Sequence, residues 1–167
     1  MPKFGTRLIE RIEVAEGTVA FALDRPTGFD FTAGQFLIVV LPDPPYDDTE
    51  GNRRVFSIAS PPQETGQLQI ATRMTGSALK RSLAEVTLGA PVELSGPSGS
   101  FTLHPDSSVP TVFIAGGIGI TPFRSIIRDA VARTLAHSLW LFYSNTRPED
   151  AAFLDEHRGL VDDFERL

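Results

Sequence analysis

The chain has 167 residues, 41% hydrophobic and 22% charged, enough for one good domain or two small ones. With 15 Lys and Arg against 21 Asp and Glu, the net charge of -6 argues against nucleic acid as a partner, although a local basic patch could still hold a small anion. The absence of cysteine excludes disulfides, thiolate chemistry and cysteine-bound iron-sulfur or zinc sites within this chain, and without an apolar run long enough for a signal peptide or a bilayer span the expected location is the cytoplasm, with no membrane partner.

The first hundred residues offer short strand-like runs broken by Gly and Pro, at 6–13, 18–23, 35–41, 54–58, 68–73 and 91–94. Their spacing suits a small antiparallel barrel rather than strand-helix-strand units. The acidic, Pro-rich segment Pro42-Asp43-Pro44-Pro45-Tyr46-Asp47-Asp48 reads as a solvated connection. Residues 77–86 read as a short helix, because Ala78, Leu79, Leu83 and Val86 recur at helical spacing. On the strand Arg53-Arg54-Val55-Phe56-Ser57, Arg54 and Phe56 project to one face and Val55 and Ser57 to the other. That pattern fits either a core Phe beside a surface Arg or an aromatic platform beside a cation for a phosphate.

After His104 the period changes. Residues 111–115 form a continuous apolar strand, Gly116-Gly117-Ile118-Gly119 a turn, and Thr121 caps a helix with Pro122 at its first position. Phe123, Ile126, Ile127, Ala130, Val131 and Leu135 give that helix an apolar stripe. Residues 138–143 read as a second buried strand, and Glu149 to about Phe164 as a second helix. This β-α-β-α order is the opening of a doubly wound sheet, so the expected division is 1–104 and 105–167. Glycines between a strand and a helix let backbone N–H groups approach an anion closely, and the helix dipole favours negative charge there. The same glycines also serve a plain tight turn. His104, His137 and His157 share no motif, so packing or solvated roles are expected and no metal site.

Four landmarks in order, Arg54-Val55-Phe56-Ser57, Gly96-Pro97-Ser98-Gly99-Ser100-Phe101, the stretch 115–124, and Leu141-Phe142-Tyr143-Ser144-Asn145-Thr146-Arg147-Pro148-Glu149-Asp150, give the chain its likeness. It resembles the ferredoxin-NADP reductase family, specifically the bacterial flavin-dependent NAD(P)H reductases. The resemblance implies a six-stranded antiparallel Greek-key barrel for FAD, then a partial Rossmann-like nicotinamide domain. It implies that Arg54 pairs with a flavin phosphate, that Phe56 stacks on the isoalloxazine, and that Ser57 acts beside its reactive N5 atom. The family usually has Tyr where Phe56 stands, so the ring face is kept and the hydroxyl lost.

By the same resemblance Val55 and the strand Ile70-Ala71-Thr72-Arg73 meet the flavin, Ser77 and Lys80 lie at its phosphates, and basic residues there favour FAD over FMN. Gly116, Gly117, Gly119 and Thr121 face the NAD(P)H pyrophosphate, and Ser144 and Arg147 lie near the adenosine ribose, with NADH and NADPH both open. The implied activity passes a hydride from NAD(P)H to FAD and electrons onward to a ferredoxin, flavodoxin, iron-sulfur or haem partner. The alternative is a non-catalytic flavin-binding or regulatory electron-transfer subunit. The family continues through further strands beyond the position of Leu167, so the chain is expected to lack the C-terminal part of the nicotinamide domain, by truncation, as a natural short form, or as an incomplete product. Two apolar parallel strands would then leave an exposed edge, which a homodimer could cover.

Overall fold

The computed structural model describes residues 1–163. Six strands, β1 (Lys3–Ala15), β2 (Thr18–Asp24), β3 (Phe36–Val40), β4 (Arg53–Ser57), β5 (Gln67–Arg73) and β6 (Pro91–Ser98), form one antiparallel sheet in the order β4-β3-β6-β1-β2-β5. The long β1 serves both halves of this sheet: Lys3 to Arg7 pair with β6, and Leu8 to Ala15 pair with β2 across two register shifts. Those irregularities bend the sheet and let it roll up. The two edge strands then meet, because the Ala59 amide just beyond β4 donates to the Gln69 carbonyl of β5 at 2.7 Å.

Side-chain alternation explains which face went inside. Along β2 and β5 the large residues Phe21, Leu23, Leu68 and Ile70 enter the barrel core with Leu37, Val39, Val92 and Leu94, while the adjacent Ala20 and Ala71 point outward. A helix α1 (Ala78–Glu85) lays Leu79 and Leu83 against the same core. Outward alanines leave room for the second half of the chain to dock. There β7 (Thr111–Gly116) and β8 (Leu139–Ser144) pair in parallel around helix α2 (Thr121–Ala132). Ala115, Ile120, Ala152 and Phe153 pack on Ala20 and Ala71, and Ile126, Ile127 and Ala130 of α2 pack on Phe113, Leu139 and Ala33.

Three local expectations change. The 3-10 turn Gly117–Ile120 runs directly into α2, so Ile120 holds the N-cap position, Pro122 falls one place after the first helical residue, and the Thr121 hydroxyl donates to the Ile118 carbonyl at 3.2 Å instead of capping. The expected helix from Glu149 is a 3-10 turn, Pro148–Asp150, and a separate helix α3 (Leu154–Asp163), broken at Phe153 where φ is 61°. Phe164, its expected end, lies outside the described residues. The acidic segment is not a free connection either, since its Tyr46 and Asp48 are hydrogen-bonded to α1.

The two-stranded sheet presents Val112, Ile114, Trp140 and Phe142 to solvent, with Ile114 76% exposed. Among the described residues no helix is long and apolar enough to cross a membrane.

Candidate functional site

The strands that carry most of the expected flavin residues, β4 and β5, are the two edges of the rolled sheet. An antiparallel edge strand has half of its N–H and C=O groups unpaired, so Ile70 to Arg73 and Arg54 to Ser57 offer backbone donors and acceptors along one seam. At the end of that seam Asp48, Thr49, Glu50, Arg54, Thr75, Gly76, Ser77 and Lys80 line a cavity of about 550 Å³. The three residues expected at the flavin phosphates, Arg54, Ser77 and Lys80, are therefore brought together, and Arg54 Nη2 lies 3.4 Å from Ser77 Oγ.

Carboxylates that the sequence reading left out already engage this cluster. Arg54 Nη2 donates to Glu50 Oε2 at 2.6 Å and lies 3.4 Å from Asp48 Oδ1, while its Nη1 is held by the carbonyls of Glu50, Gly51 and Arg53. Ser77 takes the N-cap position of α1 without a side-chain cap bond, and Asp48 Oδ2 accepts the Ala78 amide instead, at 2.8 Å. That amide, together with Arg54 and the Glu50 amide, holds the Asp48 carboxyl below the ordinary carboxylate range. Lys80 Nζ donates to the Arg73 carbonyl at 3.0 Å and to Thr75 Oγ1 at 3.1 Å; burial first, and then Arg54, lowers its pKa. Lys80 thus faces the cavity, whereas its neighbour Arg81 is the solvated residue, stacked 3.6 Å over the Tyr46 ring and paired with Glu85.

Phe56 is only 8% exposed and belongs to the barrel core cluster, while Val55 beside it is 60% exposed. Most of the expected stacking ring is therefore packed against protein, and Ser57 is half-buried. Ile70, Ala71 and Thr72 have buried side chains, which leaves backbone as their means of meeting a ligand.

A second cavity of about 470 Å³ is lined by Arg73, Gly116, Gly117, Ile118, Ser144, Asn145 and Thr146. Gly117 has φ of 50°, in the left-handed region that glycine tolerates, and this lets the strand turn directly into the 3-10 helix. A Cβ on Gly116 or Gly119 would meet no atom within 4 Å, so these two glycines face open space. Thr121 is buried, with its hydroxyl spent on Ile118, and does not line this cavity. Arg147 lies outside it too: its Nη2 is 2.8 Å from Asp150 Oδ1 and 2.9 Å from Glu16 Oε2, and Asp150 chiefly raises its pKa. Arg73 lines this second cavity and touches the first through Lys80: its carbonyl accepts from Lys80 Nζ, and its guanidinium stands 3.7 Å from where a Gly117 Cβ would be.

A buried joint that the sequence reading missed fixes the two halves beside each other. Arg124 of α2, 6% exposed, donates from Nη1 to the Ala59 carbonyl and to Gln69 Oε1, both at 2.8 Å, and from Nε to Glu156 at 2.8 Å. Its guanidinium lies 4.2 Å from the Phe153 ring centroid. Ser125 Oγ donates to the Ser60 carbonyl at 2.7 Å, and Arg128 pairs with both Glu64 and Glu156. The only sequence signal was a charged residue interrupting the apolar stripe of α2. His137 and His157 are buried and serve packing, and His157 Nδ1 bonds the Phe153 carbonyl at 2.7 Å.

Arg54, Ser77 and Lys80 are residues that could hold a flavin phosphate, and the open glycine turn is one that could hold a dinucleotide phosphate. Residues 6–103 match the oxidoreductase FAD-binding domain family and residues 113–165 the oxidoreductase NAD-binding domain family. A ferredoxin--NADP reductase B of Sorangium cellulosum is 32% identical over 167 residues, covering 98% of this chain and 67% of its own. The Amycolatopsis cytochrome P450 reductase GcoB superposes with a TM-score of 0.81 at 25% identity, over 98% of this chain and 50% of its own. A phthalate dioxygenase reductase, described as a modular structure for electron transfer from pyridine nucleotides to [2Fe-2S], gives 0.77 at 30% identity over 92% and 47%. The chain thus spans two thirds of the first relative and about half of each solved reductase. The chain belongs to the ferredoxin-NADP reductase-like family of FAD- and NAD-binding oxidoreductases.

Proposed function

We propose that this chain is a flavin-dependent oxidoreductase module that takes a hydride from NAD(P)H onto FAD and passes electrons to a separate redox protein or domain. The observation that carries this reading is Arg73: one residue borders both the cationic seam and the glycine turn, so a flavin along β4 and β5 and a nicotinamide dinucleotide at residues 116–119 would be neighbours. When bound, FAD supplies the hydride acceptor and the capacity to release electrons singly. The chain's own work is alignment. Arg54, Ser77 and Lys80 would hold the flavin phosphates, the backbone of Ile70 to Arg73 would meet the ring's polar edge, and Ser57 would hydrogen-bond beside its reactive nitrogen. Val55, 60% exposed, would lie beside the ring, and Phe56 would brace β4 from the core side. Gly116, Gly117 and Gly119 would meet the dinucleotide pyrophosphate and Ser144 its adenosine side.

A rigid joint between the halves matters for such chemistry, since hydride transfer demands close approach of two rings. Arg124 and Ser125 supply it by bonding to Ala59 and Ser60, two and three residues beyond Ser57. The electron acceptor is an iron-sulfur, flavodoxin or haem partner, in keeping with the [2Fe-2S] acceptor named for the phthalate reductase. A second copy would pack on the apolar face of β7 and β8, and sedimentation velocity tests this: a monomer at all concentrations overturns it.

Anaerobic mixing of the FAD-loaded chain with NADH and with NADPH tests the activity. Loss of the oxidised flavin spectrum with either donor is expected. Bound flavin that neither donor bleaches would favour the second reading, a flavin-binding electron-transfer subunit without its own hydride step.

A further inference from the structure

The cationic seam is met by the chain's own carboxylates. Arg54 Nη2 contacts Glu50 Oε2 and Asp48 Oδ1, and the first amide of α1 contacts Asp48 Oδ2. These are the positions at which two oxygens of a phosphate would sit: one bridging a guanidinium, one on a helix N-terminus. The charges of Arg54 and Lys80 are cancelled by Asp48 and Glu50, so a phosphodiester entering beside these carboxylates finds no net attraction, and one that displaces them finds two cations.

The loop is built so that only its far part need move. Tyr46 anchors the near end, its amide 3.1 Å from Ser82 Oγ, its hydroxyl on Glu85 and its ring under Arg81. Beyond it, Gly51 has φ of 72° with open space around its Cβ position, and the Glu50 side chain is 69% exposed. An ion pair that exposed is weak and exchangeable.

We infer that Asp48 and Glu50 are competing anions in the flavin phosphate seat, and that they set how strongly this chain prefers a phosphate-bearing flavin to riboflavin. The inference rests on the flavin reading above. The test measures equilibrium dissociation constants of FAD and riboflavin, by quenching of flavin fluorescence, for the full chain and for Asp48→Asn/Glu50→Gln. Asn keeps an oxygen for the Ala78 amide, so α1 retains its cap. Riboflavin affinity is expected to stay within about twofold while FAD tightens about tenfold, the combined effect of releasing one pair with an exposed carboxylate and one partly buried pair. A FAD-to-riboflavin preference that is unchanged or lower in the variant overturns the inference, since the carboxylates would then brace Arg54 and not compete with phosphate. In that outcome riboflavin binding still stands, and the flavin reading with it. If neither protein binds either flavin, the flavin reading fails and the inference falls with it.

Discussion

Arg124 is the side chain whose loss should most clearly separate the two halves of the molecule. Replacing it with Met keeps the aliphatic stem on α2 and removes only the guanidinium. Three hydrogen bonds go: to Ala59 O, Gln69 Oε1 and Glu156. Glu156 keeps Arg128 at 3.1 Å and is partly solvated, so its share is small. The Ala59 and Gln69 oxygens are left without this donor, each costing about 1 kcal/mol, and the lost contact over Phe153 adds about 1 kcal/mol. The expected destabilisation is about 3 kcal/mol, concentrated on the docking of α2 against the barrel. Urea unfolding followed by emission of Trp140, the single tryptophan and a β8 residue, reports the dinucleotide half, while far-ultraviolet circular dichroism reports the whole chain. The two curves should coincide in the unmodified protein and separate in Arg124→Met, with Trp140 changing first. Coincident curves with a loss under about 1 kcal/mol would refute the joint, since buried guanidinium contacts cannot be lost so cheaply.

Gly34→Ala should cost about 3 kcal/mol or more in a thermal or urea melt, because φ is 94° and the new Cβ would fall 2.1 Å from the Phe101 carbonyl oxygen. A variant as stable as the parent would mean that this crossing of barrel and linker is loose. Gly117→Val should weaken NADH and NADPH binding while FAD affinity stays, and release of FAD as well would dissolve the two-site division. Burial pushes the His157 imidazole below its ordinary value, with the Phe153 carbonyl and Glu156 only partly opposing it and Arg124 and Arg128 adding to it. The unfolded imidazole therefore takes up a proton first, so folded stability should fall as pH drops through about 6.5. Denaturant midpoints from pH 8 to 5 should fall less steeply in His157→Gln; an identical slope would remove His157 from the acid response.

The architecture was legible wherever a single period governs a segment. The six barrel strands and the unit β7-α2-β8 follow from alternation and a helical stripe, and the observed strands overlap every expected one. What the sequence concealed depends on groups far apart in the chain. Asp48 looked solvated because nothing local shows that it caps α1, 30 residues away. Arg124 received no role, because its partners Ala59 and Gln69 lie 65 and 55 residues earlier. Thr121 had the right chemistry for a cap, but the 3-10 turn before it had already begun the helix. Arg147 stood at the expected place after β8, yet two nearby carboxylates engage it. Motif positions thus located the seam and the glycine turn, while the charges that balance them came only from the packed structure.

The central claim is that β4, β5 and the start of α1 hold the flavin through Arg54. Equilibrium titration of the chain with FAD, set beside Arg54→Ala, tests it most directly. The account predicts saturable one-to-one binding by the parent and a loss of roughly 1.5 to 3 kcal/mol in the variant, the value of a charge-assisted hydrogen bond. FAD that does not bind the parent, or that binds Arg54→Ala equally well, would contradict it.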